Sequence, residues 1–190
     1  MKEIIKMQII DLRPDDETAI QQAAALLVDG FKANWPDAWP DVESAIAEVR
    51  ESFGAERISR AAVDEHGAVI GWIGGISQYD GNVWELHPLV VQRDWQRRGV
   101  GRALVADLEA RVRERGGLTL WLGSDDENGM TTLANVDLYA NLPDQIANIR
   151  NLRDHPYEFY QKLGFVIIGV MPDANGPGKP DIYMAKRVRR

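Results

Sequence analysis

The pattern of apolar and polar residues along the chain predicts an α/β fold. Apolar or alternating runs of strand length occur at 4–10, 58–64, 68–79, 83–91, 118–122, 165–171 and 181–188. Apolar residues recur with helical spacing at 14–28, 41–53, 101–114 and 156–163. A meander of strands followed by a strand, a helix and another strand predicts a mixed central sheet of about six to seven strands flanked by helices.

One connection is much longer than the others. Residues 123–155 separate a predicted strand from the last predicted helix, where a connection of about 2–6 residues is usual. Five apolar residues within it have a spacing that indicates a packed element, namely Leu138, Leu142, Ile146, Ile149 and Leu152. We therefore expect a single domain over residues 1–190 that carries 123–155 as a long insertion.

Composition excludes several classes of protein. The 190 residues include 22 Lys and Arg, 29 Asp and Glu and no Cys, so the formal net charge is −7 and disulfides and thiolate metal sites are impossible. No run approaches the roughly 18 apolar residues of a membrane span. The acidic balance does not favour nucleic acid, which is bound by clustered Lys and Arg. We expect a cytoplasmic protein with no metal and no membrane association, whose partner is a cationic small molecule.

A glycine-containing loop follows the predicted strand that ends at Val91 and opens the next helix. It consists of Gln96, Arg97, Arg98, Gly99, Val100, Gly101 and Arg102. Glycines let the backbone approach a ligand, a helix N-terminus carries about half a positive charge, and three arginines add to it. The loop is therefore suited to a pyrophosphate, although it lacks the Lys-Ser/Thr ending of nucleotide hydrolases. A basic turn that only enters a surface helix is the alternative.

A second motif, Phe159-Tyr160-Gln161-Lys162-Leu163-Gly164-Phe165, accompanies the glycine loop. Together they resemble the GNAT superfamily of acetyl-coenzyme A-dependent N-acetyltransferases. Four longer segments are similar to those of the aminoglycoside 6′-N-acetyltransferases within it, at 84–91, 122–126, 155–160 and 179–186. One position departs from the family pattern. The family usually has an Asn seven residues before this Tyr, where the chain has Arg153, and Asn148 or Asn151 could take its place.

The resemblance implies a fold, a reaction and an assembly. The fold is that of GNAT enzymes, with a mixed sheet splayed between its fourth and fifth strands to admit the cofactor. The reaction is the transfer of an acetyl group from acetyl-coenzyme A to the 6′-amine of aminoglycoside antibiotics, which confers resistance. The assembly is a homodimer.

Residues of the fourth predicted strand are candidates for the chemistry. Alternation places Glu85, His87 and Leu89 on one face of this strand. An aliphatic amine must lose a proton before it attacks a thioester, so Glu85 is a candidate base acting through water, or an anchor for the ammonium group. A satisfied polar pair in the sheet is the alternative for Glu85. A packed histidine at the strand end is the alternative for His87.

The resemblance also assigns roles along the reaction path. The N–H of Leu89 stabilises the oxyanion of the attacked carbonyl, and the backbone of Val90 and Val91 pairs with the pantetheine amides. Tyr160 protonates the leaving thiolate or hydrogen-bonds to its sulfur. An aromatic core residue is the alternative for Tyr160.

The acceptor site needs carboxylates and aromatic faces, because an aminoglycoside carries several ammonium groups on sugar rings. The candidate substrate-binding residues are Trp35, Tyr79, Glu85, Asp125, Asp126, Glu127 and Asp137. Several of them lie in the 123–155 insertion, which we expect to contribute to this site. A solvated acidic face is the alternative.

Two other functions are open on the sequence alone. The same fold could acetylate polyamines or protein amines, although the insertion should narrow a site that a peptide needs open. A non-catalytic acyl-coenzyme A binding module is a candidate of another class. Such a module would keep the 96–102 loop and would have no reason to keep Glu85 and Tyr160 together.

Overall fold

The computed structural model describes residues 6–189. The chain divides into two compact units, one comprising Met1–Leu118 with Val188–Arg190 and the other Thr119–Arg187. Within the described residues, no helix combines the length and the apolar content that crossing a bilayer requires. The expectation of a single domain over 1–190 stays a prediction.

The first unit contains four antiparallel strands in sequential order. They are β1 (Met7–Asp11), β2 (Arg57–Asp64), β3 (Val69–Gln78) and β4 (Val83–Val91). Its helices are α1 (Glu17–Phe31), α2 (Val42–Glu51) and α3 (Val100–Glu114). Each of these elements matches a predicted segment. The prediction began the first strand at residue 4, and residues 4 and 5 lie outside the described part of the chain.

Aspartates fix the beginning of α1 and α2. The carboxylate of Asp16 accepts a hydrogen bond from the N–H of Ala19 at 3.0 Å, and that of Asp41 accepts from Ser44 at 2.8 Å. Such caps satisfy N–H groups that the first turn of a helix leaves unpaired. The prediction that Asp41 caps the second helix is confirmed.

The core of the first unit lies between the sheet and α1. Residues that α1 buries completely pack in one cluster with Trp72 of β3, namely Ile20, Ala23, Ala24 and Leu27. The helix approaches β4 so closely that a Cβ on Gly30 would overlap the side chain of Val90. The segment of β4 that contains Val90 is therefore fixed against α1 and the core.

A buried arginine links the sheet of the first unit to α3. The Arg60 guanidinium is almost fully buried, donates from Nε to Asp107 at 2.6 Å and also pairs with Asp11. A buried cation is tolerated only when it is paired and hydrogen-bonded. These contacts hold α3 against β2 and so fix the position of the loop that precedes α3.

The second unit contains three antiparallel strands in the order β5-β7-β6. They are β5 (Thr119–Asp125), β6 (Val166–Met171) and β7 (Asp181–Arg187). Its helices are α4 (Leu138–Ala147) and α5 (Tyr157–Lys162). With four strands in one unit and three in the other, the strands predicted from the sequence are confirmed.

The 123–155 insertion is packed in part, and Leu142, Ile146 and Ile149, whose spacing predicts a packed element, are only half-buried. Leu133 and Leu138 are buried, and an isolated antiparallel bridge joins Thr131 to Asn151. Leu152, by contrast, is 56% exposed and does not belong to that core. Strand β5 continues to Asp125, three residues beyond its predicted end, so the first part of the insertion is strand.

Candidate active site

Strand β4 presents a polar face and an apolar face. Trp84, Leu86 and Val90 are buried, whereas Glu85 is partly exposed and the His87 side chain is 44% exposed. This alternation is the one that the sequence predicts as far as His87. The register shift between Ile73 and Gly75 of β3 then reverses it, so Val90, opposite Trp72, lies on the face of Glu85, and Leu89, opposite Ile73, lies on the face of Leu86. The expectation that Leu89 shares a face with Glu85 is therefore corrected. The candidate groups at Glu85 and His87 therefore lie on one face of a strand that is held from behind by the core.

The backbone of β4 offers some of its polar groups to a ligand and uses others in the sheet. The N–H of Gln92 donates to the carbonyl of Ile70 at 2.9 Å, and Val90 is paired with Trp72. Backbone groups alternate in direction along a strand, so Val90 faces β3 while Leu89 and Val91 face the other way. The expected contact from Val90 to pantetheine is therefore corrected. The directions of Leu89 and Val91 are compatible with the roles expected for them.

The loop at residues 96–102 is exposed at residues 96–99 and at Arg102, whereas Val100 is buried, and its backbone turns sharply. Arg97 and Gly99 have φ of 59° and 94°, a conformation that glycine adopts without strain. No side chain caps α3, whose first internal hydrogen bond runs from the N–H of Ala103 to the carbonyl of Gly99. The N–H groups at the start of this helix are left for a ligand, and a diphosphate beside three arginines fits them.

Two side chains of this loop contact residues that precede it. Gln96 donates from Nε2 to the carbonyl of Val91 at 3.1 Å, which ties the loop to the end of β4. The guanidinium of Arg98 lies 5.7 Å from the ring centroid of Trp95. Gln96 therefore braces the loop through its side chain, and a contact of Gln96 to a cofactor stays a prediction.

The carboxylate of Glu85 is held in place by β3. Gln78 donates from Nε2 to Oε2 of Glu85 at 2.7 Å. Gln78 directly precedes the turn that contains Tyr79. Tyr79 is 76% exposed and has a φ of 50°. Within residues 6–189, Oε1 of Glu85 has no hydrogen-bond partner, so the group can still receive an ammonium hydrogen or a water.

An aromatic cluster lies beside His87. The rings of Trp39 and His87 are 6.1 Å apart, and Phe31 contacts Trp39 edge-on at 4.6 Å and Trp35 at 5.7 Å. The structure thus connects the predicted Trp35 to the polar face of β4 through Phe31 and Trp39. Aromatic faces beside carboxylates suit cationic sugars.

A cleft of about 200 Å³ opens next to His87 within the first unit. It is lined by His87, two residues of β3, Ser52, Arg57 and two carboxylates of α2, Glu48 and Glu51. Sequence reasoning missed these carboxylates. Glu48 and Glu51 are three residues apart on α2, so they lie on neighbouring positions of the helix surface. Ala45 and Val49 of the same helix are buried, which places both acids beside its packed face.

Tyr160 belongs to α5 in the second unit and is buried. Its ring contacts Phe159 and Phe165, with centroids 5.1 Å and 5.7 Å away. Burial raises the pKa of the Tyr160 phenol well above its ordinary value of 10.0. The phenol is therefore protonated at neutral pH and can donate its hydrogen. Its action on a thiolate stays a prediction.

The predicted acceptor carboxylates of the second unit have partners of their own. Asn175 donates to Asp125, Lys179 lies 3.8 Å from Glu127, and Asp137 accepts from the N–H of Tyr139 at the start of α4. Asp126 is fully buried, and its two oxygens accept from the N–H groups of Met130 and Thr131. The expectation that Asp126 binds substrate is therefore corrected: it holds the insertion in shape.

His155 and Asn151 also stabilise the insertion. The N–H of Tyr157 donates to Nδ1 of His155, and Nε2 lies 3.2 Å from the carbonyl of Asp125, so the ring is neutral with its hydrogen on Nε2. Burial lowers the pKa of His155. Asn151 exchanges two hydrogen bonds with the backbone of His155. Arg153 donates to the carbonyls of Asn128 and Gly129, so it too serves the insertion.

Comparison with known proteins identifies the family of the chain. The model of the acetyltransferase (GNAT) family matches residues 20–140. No curated protein matches the chain. This match covers more than half of the sequence, and the chain belongs to the GNAT family of acetyltransferases. The predicted α/β class and GNAT fold are thereby confirmed; the splay between the fourth and fifth strands stays a prediction.

Solved structures with high similarity are acetyltransferases that act on aminoglycosides. An aminoglycoside 6′-N-acetyltransferase complexed with coenzyme A is 44% identical, with 96% of this chain and 98% of that chain covered and a TM-score of 0.88. The aminoglycoside 6′-N-acetyltransferase from Enterococcus faecium has the same identity and coverage and a TM-score of 0.86. An aminoglycoside 6′-acetyltransferase type Ii is 36% identical over the same shares, with a TM-score of 0.72.

Proposed function

We propose that this acetyltransferase moves an acetyl group from acetyl-coenzyme A to the 6′-amine of aminoglycosides. The observation that carries the proposal is the 44% identity to an aminoglycoside 6′-N-acetyltransferase over nearly the full length of both chains. That relative binds coenzyme A, and the open N-terminus of α3 with its arginines suits the diphosphate of the same molecule.

The acceptor chemistry is supported by the charge beside β4. Glu85 places a carboxylate on the face of β4 that also carries His87, and Trp39 adds an aromatic surface beside His87. A polycationic sugar gains from both, because carboxylates pair with its ammonium groups and aromatic rings cover its flat faces. Neutral or acidic acceptors would gain nothing from this arrangement.

The reaction forms one bond and breaks another. The neutral amine attacks the thioester carbonyl, a C–N bond forms, and the C–S bond breaks to release the coenzyme A thiol. The proton that the amine loses passes to water held by Glu85, and the sulfur gains a proton. The Leu89 N–H is aimed away from β3, so it is available to stabilise the negative charge on the carbonyl oxygen.

The test measures thiol release and product mass. Purified protein with acetyl-coenzyme A and kanamycin or tobramycin should release thiol and yield a singly acetylated antibiotic. An aminoglycoside with a hydroxyl at the 6′ carbon is the matched control and should release none. Release with spermidine or a peptide amine and with no aminoglycoside would replace this proposal by the polyamine or protein-amine alternative. Binding of coenzyme A with no turnover of any amine would favour the binding module.

Assembly, location and biological role belong to the same proposal. We propose a cytoplasmic homodimer that confers resistance on the cell that makes it, as the resemblance implies. Light scattering of the purified protein measures the mass, and a monomer at micromolar concentration contradicts the dimer. Expression in a sensitive bacterium should raise the antibiotic concentration that stops growth, and an inactive Glu85→Ala variant provides the control.

A further inference from the structure

We propose that Glu48 of α2 is a positioning residue that holds the imidazole of His87, an inference that rests on the proposed function. Glu48 Oε1 lies 3.7 Å from His87 Nε2. The two residues are far apart in the sequence, and the fold brings them together at the rim of the cleft beside β4.

The imidazole of His87 is contacted from two directions. The carboxylate of Glu48 lies at Nε2, and the ring of Trp39 lies 6.1 Å away at an angle of 44°. The side chain of His87 is 44% exposed, so burial by itself does not restrict its rotation. Glu48 and Trp39 therefore flank the ring on the face that also carries Glu85.

Glu48 is suited to this role because its helix is fixed. Its neighbours Ala45 and Val49 are completely buried, and the capped N-terminus of α2 is set by Asp41. The Glu48 side chain is only 27% exposed and so has fewer accessible rotamers than a free surface glutamate. A carboxylate on a rigid helix can therefore orient a ring on a neighbouring strand.

Glu51 provides a matched control. It lines the same cleft and carries the same charge one helical turn later. Within residues 6–189 it makes no ion pair with His87. An effect of Glu48 that came only from negative charge in the cleft would be shared by Glu51, whereas a positioning effect would not.

The experiment is a double-mutant cycle on thiol release. Glu48→Gln keeps the shape of the side chain and should lower kcat/KM for the acceptor by about three- to tenfold, with little change in the KM for acetyl-coenzyme A. Glu51→Gln should change kcat/KM less than about twofold. In a His87→Gln background, Glu48→Gln should have almost no further effect, because its partner is already absent. Equal effects of Glu48→Gln in both backgrounds overturn the proposal.

A second readout does not depend on activity and separates this proposal from the substrate assignment. The chain has 3 His, so ring resonances can be assigned with the His87→Gln variant. At one fixed pH the His87 ring signals should move in Glu48→Gln and stay in place in Glu51→Gln. Unmoved signals in Glu48→Gln overturn the positioning role whatever amine the enzyme accepts. If no thiol is released with any aminoglycoside, the proposed function fails independently of this proposal. The double-mutant cycle is then run with an amine that does support thiol release.

Discussion

The backbone carbonyl of His87 lies directly against Gly74, so close that no Cβ would fit between them. The two strands change register at this point, between Ile73 and Gly75. Because Gly74 of β3 has no side chain, β4 can follow its course through His87 and Pro88. This segment of β4 lies between Glu85 and the backbone N–H of Leu89.

Gly74→Ala should disturb this segment of β4. The added methyl group forces the backbone of His87 to move, which should cost about 1–3 kcal/mol of stability and lower kcat more than about tenfold. Thermal unfolding and thiol release measure the two effects. Gly169→Ala in β6 is the control, since a Cβ there meets nothing within 4 Å. A Gly74→Ala enzyme with wild-type kcat would contradict the account of this strand.

Arg98→Ala should weaken the binding of coenzyme A. Arg98 lies in the exposed loop before α3, and removing one cation from a diphosphate site should raise the Kd by about five- to tenfold, most strongly at low salt. Calorimetric titration with coenzyme A measures the change. Lys32→Ala removes an exposed cation outside the loop and should leave the Kd unaltered. An effect of Arg98→Ala confined to the KM of the amine would refute the assignment of the loop.

Tyr160→Phe should lower kcat without weakening the binding of coenzyme A, if Tyr160 has the role that the resemblance implies. Because burial raises the pKa of its phenol, the group stays protonated throughout the assay range, and no loss of activity up to about pH 9.5 should be caused by its titration. Steady-state rates between pH 6.5 and pH 9.5 test both statements. Tyr139→Phe changes a tyrosine that is 77% exposed and should have no effect. Unchanged turnover in Tyr160→Phe would remove it from the mechanism.

His155 should make stability depend on pH below neutrality. Burial holds the pKa of folded His155 below its ordinary value of 6.5, so the unfolded chain takes up this proton first as the pH falls. Stability is therefore lost on acidification through about pH 6.5, with a slope of at most about 1.4 kcal/mol per pH unit from this group. His155→Gln should show a flatter dependence of Tm between pH 7.5 and pH 5.5. Parallel curves for the two proteins would show that His155 is not the cause.

Most elements could be predicted from the sequence because their causes are local. The bounds of β4 agree with the prediction at both ends, since alternation and the flanking Gly81-Asn82 turn define it. The exception is α4, which the sequence indicated only as a packed element. Pro143 lies inside this helix and Asn141 departs from helical geometry, so the usual signals of a helix are interrupted.

The candidate site was predicted in part. Alternation was sufficient to place Glu85 and His87 on one face, and the glycine loop was evident from its composition. Alternation was wrong for Leu89, because the register shift between β3 and β4 reverses the faces after His87. The direction of the Val90 backbone groups could not be predicted, because it depends on the pairing of β4 with β3. Asp126 was misread as a substrate carboxylate, because a run of acids does not reveal which of them will be enclosed by its own loop.

The sequence alone determined which segments form strands and helices, where α2 begins and which loop is the candidate for binding a diphosphate, since these follow from neighbouring residues. Only the tertiary structure decided that Glu48 meets His87, that Gly74 makes room for the carbonyl of His87, and that Asp126 is buried. Contacts of this kind join residues that are distant in the chain or enclosed by a folded loop. They are fixed by how whole elements pack, which no local pattern of residues records.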